Sequence, residues 1–188
     1  MQTVFHLDRD GVINHNNRSK KEGPYYTLKP EQFIWFEGSK EAIVKLQKKG
    51  CLLHVVTSQN CISEGLCTIE DVNKIHEKMN KDIVEAGGEP LDVSTIYGVK
   101  EDAGARASAK AEAMIGFCKD YKVIDLSDCY MVGDTESDII AGRLASCKTV
   151  HVELDYTSEQ DKYVESANFH VKSLAQFVDM FLNQENPV

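Results

Sequence analysis

Short apolar runs alternate with amphipathic segments along most of the chain. Residues 3–7, Thr3-Val4-Phe5-His6-Leu7, are β-branched and apolar and stop at Asp8, just ahead of the turn-forming Asp10-Gly11. This pattern predicts a buried strand. Residues 51–57 are almost continuously apolar, as a strand buried on both faces requires. Further short strands are predicted at 93–99, 130–133, 148–152 and, at a sheet edge, 168–171. Helical spacing places Ala42, Ile43 and Leu46 on one face of a helix at 39–49, with Ser39 as its cap and Gly50 as its stop. Thr68-Ile69-Glu70-Asp71 reads as a capping box opening a helix at 69–86, with Val72, Ile75, Met79 and Ile83 on its apolar face. An alanine-rich helix ends near Cys118, and two more are predicted at 135–145 and 173–182. Residues 13–36, punctuated by Asn14, Gly23-Pro24 and Pro30, read as a long loop with a small hairpin flap.

Strands that alternate with helices pair in parallel through right-handed crossovers, which predicts an α/β fold with a doubly wound parallel sheet. A chain of 188 residues is the size of one domain, spanning 1–188. Residues 13–36 and 60–105 hold only a loop and one helix–strand unit, so no large cap domain is expected. Ligands in such sheets sit beyond the carboxyl ends of the strands.

Charge and cysteine usage narrow the function classes. The 30 acidic and 21 basic residues give a net charge of −9, which disfavours nucleic acid as a partner. No apolar run approaches the roughly 18 residues of a membrane span, and no basic, then apolar, secretory leader opens the chain. Six cysteines lie scattered without a C-x-x-C pair, as free thiols in a reducing cytoplasm would. A cytoplasmic monomer is the expectation.

Polar residues collect at three strand ends: Asp8 with Asp10, Thr57 with Ser58, and Asp134 with Asp138. Residues i and i+2 of an extended segment face the same way, so Asp8 and Asp10 converge on one small volume. Two close carboxylates repel unless one is protonated or a cation intervenes, and a hard divalent ion such as Mg²⁺ suits oxygen ligands and phosphate. One carboxylate can then attack phosphorus while the other moves a proton. The Thr57 hydroxyl and Ser58 backbone N–H can donate to phosphate oxygens. Asp134 is a further metal ligand, whereas Asp138 is also spaced to cap a helix from Thr135. His54, inside a strand, reads as a satisfied core histidine.

Phe5-His6-Leu7-Asp8-Arg9-Asp10-Gly11-Val12-Ile13-Asn14 resembles the first motif of haloacid dehalogenase (HAD) superfamily phosphatases. Thr57-Ser58-Gln59-Asn60 resembles their second motif, and Gly133-Asp134-Thr135-Glu136-Ser137-Asp138 their fourth. Within the superfamily the chain is most similar to the D-glycero-D-manno-heptose 1,7-bisphosphate phosphatase and histidinol-phosphatase group. The resemblance implies a small phosphate-ester substrate, Asp8 as the nucleophile that forms an aspartyl-phosphate, and Asp10 as general acid and then base. It also implies Mg²⁺ held by Asp8, the Asp10 carbonyl and Asp134 with support from Asp138, and phosphate held by Thr57 and Ser58. Two departures stand out. No Cys or His lies between Tyr97 and Met114, so no structural zinc is expected there. The third-motif lysine is displaced, leaving Lys110 as first choice, Arg106 as runner-up and Lys100 as an alternative. If no cation reached the phosphate, the chain would be a catalytically weak phosphate binder. Specificity is expected to be set by loop residues such as Asn14, His15, Asn17 and Arg18, with His15 and Arg18 themselves read as solvated loop residues.

Overall fold

The computed structural model describes residues 2–16, 26–99, 102–154 and 164–184. Six strands, β1 (Val4–Leu7), β2 (Leu52–Ser58), β3 (Asp92–Ile96), β4 (Cys129–Gly133), β5 (Lys148–Val152) and β6 (Phe169–Val171), form one parallel sheet in the order 3-2-1-4-5-6. This is the doubly wound α/β architecture, with β1 at its centre.

The helices are α1 (Ser39–Lys48), α2 (Ile69–Glu85), α3 (Ala103–Asp120), α4 (Glu136–Leu144) and α5 (Leu174–Gln184). Alternation along the strands divides the core between the two sheet faces. Phe5, Leu7 and Val55 pack with Ile43 and Leu46 of α1, Ile75 and Met79 of α2, and Leu174 and Phe177 of α5. Val4, Val56 and Met131 pack on the opposite face with Ala107 and Met114 of α3 and Ala141 of α4. Among the described residues, only a 3-10 turn at Pro30–Gln32 and two isolated bridges, Asp10 with Asn14 and Asn14 with Trp35, lie between β1 and α1. The second bridge is what the described residues hold of the expected flap.

Two expectations need correction. The cap of α1 is Gly38, in left-handed conformation with φ +75°, and not Ser39. The Ser39 hydroxyl donates to the carbonyls of Ile13 and Phe36, tying the loop to the helix instead of accepting from it. Strand β3 stops at Ile96 and not at 99, because the chain turns at Gly98 with φ +72°. The expected capping box of α2 does form, with Thr68 and Asp71 bonding each other's backbone N–H.

Candidate active site

The carboxyl ends of β1, β2 and β4 open into one cleft of about 250 Å³, lined by Asp8, Asp10, Thr57, Ser58, Arg106, Lys110, Asp134 and Thr135 among others. Asp8 closes β1, and its backbone N–H donates to Val132 O of β4 at 2.9 Å. The residue is 7% exposed, and Lys110 Nζ lies 3.1 Å from its Oδ1 as an ion pair. Burial raises the Asp8 pKa to about 6 against the pull of Lys110, with Asp138 and Asp10 adding to the rise.

Lys110, on α3, is buried to 2% exposure and also donates to Asp138 Oδ1 at 2.6 Å. Burial opposes its charge, but Asp138 and Asp8 outweigh burial and hold it above the ordinary lysine range. The second oxygen of Asp138 accepts from the Thr135 N–H and hydroxyl at 3.1 and 2.6 Å, capping α4. Asp138 therefore both caps α4 and holds Lys110. Glycine is required at both motif turns. A Cβ on Gly133 would lie 2.1 Å from Asp138 Cβ, and one on Gly11, at φ +95°, would lie 2.5 Å from Asp134 Cγ.

Asp10 is held differently from Asp8. Oδ2 accepts from Arg9 Nη2 at 2.7 Å and Gln59 Nε2 at 2.8 Å, and Oδ1 from Asn14 Nδ2 at 2.9 Å and Thr27 Oγ1 at 3.3 Å. Burial works against its charge, yet Arg9, Asn14 and Gln59 together leave its pKa below the usual range. Arg9 is itself fully buried and braced by His76 Nε2 at 3.0 Å. His76 is driven down to about 3 by burial and the neighbouring guanidinium, so it stays neutral.

Similar proteins match this chain over most of its length. The HAD-hydrolase-like family profile matches residues 103–177. The D-glycero-beta-D-manno-heptose-1,7-bisphosphate 7-phosphatase of Pseudomonas aeruginosa is 30% identical over 152 residues, covering 80% of this chain and 81% of that protein. Its counterpart from Haemophilus ducreyi is 31% identical over 157 residues, covering 79% and 80%. This chain belongs to the HAD phosphatases. The crystal structure of the D,D-heptose 1,7-bisphosphate phosphatase from B. bronchiseptica with magnesium and phosphate has the same fold, with TM-score 0.77 at 24% identity over 99% of this chain and 100% of that one.

The HAD phosphatase site also contains residues to which sequence reasoning gave no role. Arg9 stands inside the first motif, and Thr27, Gln59 and His76 come from three different segments, yet all four meet around Asp10. Their polar character signalled nothing, because polar residues in loops and on helices are ordinarily solvated. Asn14 corrects an expectation: it is fully buried and spends its amide on Asp10 and the His15 carbonyl, so it is not a surface contact for substrate. His15 is exposed and stacks on Phe36 at 4.0 Å, outside the cleft lining. Asn17, Arg18 and Lys100 lie outside the described residues. His54 is a core residue, bonded to His6 Nδ1 at 3.0 Å and Ser94 Oγ at 2.9 Å. Arg106 lines the cleft with Lys110.

The donor chemistry of this HAD phosphatase fits a hard divalent cation. Carboxylate oxygens of Asp8, Asp134 and Asp138 lie within 4.8 Å of one another, all buried, with Lys110 the only cation paired to Asp8 or Asp138 among the described residues. Asp8 and Asp138 share the single ammonium of Lys110, and with Asp134 they offer the oxygen donors that a hard cation prefers. No helix among the described residues is long and apolar enough to cross a membrane.

Proposed function

We propose that this phosphatase, acting as a single domain, hydrolyses the phosphomonoester of a small phosphorylated sugar of the heptose bisphosphate class through an aspartyl-phosphate on Asp8. The observation that carries the reading is the asymmetry between the two cleft carboxylates: Asp8 is buried with Lys110 beside it, whereas Asp10 accepts four hydrogen bonds. The names and coverage of the relatives supply the substrate class.

In the free site a proton resides more readily on Asp8 than on Asp10, the reverse of what catalysis needs. Asp8, the Asp10 carbonyl and Asp134 would hold Mg²⁺, which would supply positive charge favouring an ionised Asp8 and the binding of phosphate. Lys110 adds a fixed positive charge on the same side, and Thr57 and Ser58 donate to the remaining phosphate oxygens. The approaching phosphate dianion raises the Asp10 pKa, so Asp10 enters the first step protonated and protonates the leaving alkoxide as Asp8 attacks phosphorus. Asp10, now ionised and steadied by Arg9, Gln59, Asn14 and Thr27, takes a proton from the water that hydrolyses the acyl phosphate. Asp138 acts through Lys110, since both its oxygens are already bonded.

The alternative of a weak phosphate binder rested on the displaced third-motif lysine. Lys110 at 3.1 Å from Asp8 supports turnover over that alternative. The reading is tested by phosphate release over a panel containing heptose 1,7-bisphosphate, histidinol phosphate and simple sugar monophosphates, with Mg²⁺ or with EDTA. The highest kcat/KM on the heptose bisphosphate, lost in EDTA, is the expected result. A preference for histidinol phosphate would overturn the substrate class, and undiminished release in EDTA would overturn the cation.

A further inference from the structure

Directly after β2 the chain makes a compact turn in which Leu66 N–H donates to Cys61 O at 2.9 Å and Gly65 adopts φ +71°. The turn returns position 67 to position 61, and Cys67 Sγ lies 3.0 Å from Cys61 Sγ. Cys61 is buried and Cys67 half-buried, so Cys67 is the more accessible residue of the pair. Cys118, Cys129 and Cys147 are all buried in the core. The pair is wired to the site. Cys61 Sγ donates to Gln59 Oε1 at 3.7 Å, and Gln59 Nε2 donates to Asp10 Oδ2 at 2.8 Å and Thr57 Oγ1 at 2.9 Å.

We propose that Cys61 and Cys67 are a site of reversible oxidation, closing to a disulfide on contact with a peroxide or a low-molecular-weight disulfide and thereby slowing the phosphatase. The sulfurs must approach by about 1 Å to reach a bond of roughly 2.05 Å, a movement a surface turn can make. Cys67, the less buried of the two, attacks a peroxide oxygen as thiolate. The O–O bond breaks, Cys67 becomes a sulfenic acid and one water leaves. Cys61 then attacks the Cys67 sulfur, the S–O bond breaks, and a second water carries away the remaining proton. Two thiols and one hydrogen peroxide thus give one disulfide and two waters. With a small disulfide as oxidant, exchange at Cys67 followed by attack of Cys61 releases two small thiols.

The effect on the site follows from the lost hydrogen. Once Cys61 is in a disulfide, Gln59 Oε1 has no sulfur donor. The amide then loses the bond that fixes its oxygen end, and the Nε2 hydrogen bond that positions Asp10 is held less firmly. Gln59 is a positioning residue here, acting through Asp10, and this part of the inference rests on the proposed role of Asp10.

The test treats the full chain with hydrogen peroxide or oxidised glutathione, alkylates the remaining thiols and maps the products by peptide mass spectrometry. The expected product is a Cys61–Cys67 link lacking two hydrogen atoms and restored by dithiothreitol. With the link formed, kcat is expected to fall by roughly fivefold with KM unchanged. Cys67→Ser, at a half-buried position that tolerates the change, is expected to form no link and to keep its rate after oxidant. Independent alkylation of both cysteines after oxidation, or linkage to other partners, overturns the site. A formed link with unchanged kcat, or equal loss in Cys67→Ser, overturns the coupling to Gln59. Because mapping needs no phosphatase activity, the thiol site and the catalytic reading fail separately.

Discussion

Lys110 Nζ donates to Asp138 Oδ1 at 2.6 Å across the seam between α3 and α4, while the other oxygen of Asp138 caps α4. One buried carboxylate therefore fixes the counter-ion of Asp8 to the helix that follows β4. Lys110→Met leaves Asp8 and Asp138 unpaired in a buried site. It is expected to cost about 3–5 kcal/mol of stability in the metal-free protein at neutral pH, read by urea unfolding. Phosphate release is expected to fall more than about 100-fold. Lys110→Arg does not restore it, because the guanidinium fork cannot take the place of a compact ammonium between two carboxylates.

Asp8 imposes a cost on the free protein that its substitution relieves. Its pKa, raised from 3.8 to about 6, means that the folded state holds the proton more tightly than the unfolded chain. Stability from this group is present below pH 4, falls as pH rises from about 4 to 6, and stays lost above that. In the absence of divalent cations Asp8→Asn is therefore expected to melt higher than wild type at pH 7.5, by an amount on the order of 1–3 kcal/mol. The gap narrows below pH 5. Mg²⁺ reverses the order by raising the melting temperature of the wild type alone.

The glycine of the fourth motif makes a steric prediction independent of charge. A methyl group at Gly133 would meet Asp138 Cβ at 2.1 Å, a backbone-anchored atom that cannot swing aside. Gly133→Ala must displace the first turn of α4 and with it Lys110's partner. A loss of about 3 kcal/mol or more in thermal unfolding is expected, with activity lost even at temperatures where the protein stays folded.

The brace beneath Asp10 gives a fourth expectation. Arg9→Met removes the charge that most favours ionised Asp10 and leaves His76 without its partner. The acid limb of the kcat profile is expected to move toward higher pH by about one unit, because Asp10 then gives up its proton less readily between the two steps. A profile that keeps its wild-type midpoint would show that Arg9 serves packing alone.

Much of this arrangement could be read before any coordinates. The strands were legible because parallel strands buried on both faces are runs such as residues 51–57, and Asp8, Thr57 and Asp134 were legible because each ends such a run. Lys110 needed the family resemblance, since nothing local distinguishes it from a solvated helix lysine. The ring around Asp10 was hidden for a physical reason: Arg9, Thr27, Gln59 and His76 are buried only because four separate segments converge, and that convergence leaves no periodic trace. Ser39 misled for a related reason. Its hydroxyl found two carbonyls of the preceding loop, which outcompeted the cap geometry that glycine supplies at Gly38.

The central claim is that the phosphoryl group passes through Asp8, and the most direct measurement locates it there. Asp10→Asn, given Mg²⁺ and an aryl phosphate whose leaving group needs no protonation, retains the attack but lacks the base for the second step. Rapid acid quench followed by peptide mass spectrometry is predicted to find a phosphoryl group on Asp8 in this variant, accumulating to a large fraction of the enzyme, and none in Asp8→Asn. Phosphate release by Asp8→Asn at a rate near the wild type, or a phosphoryl group carried on another residue, would contradict the account.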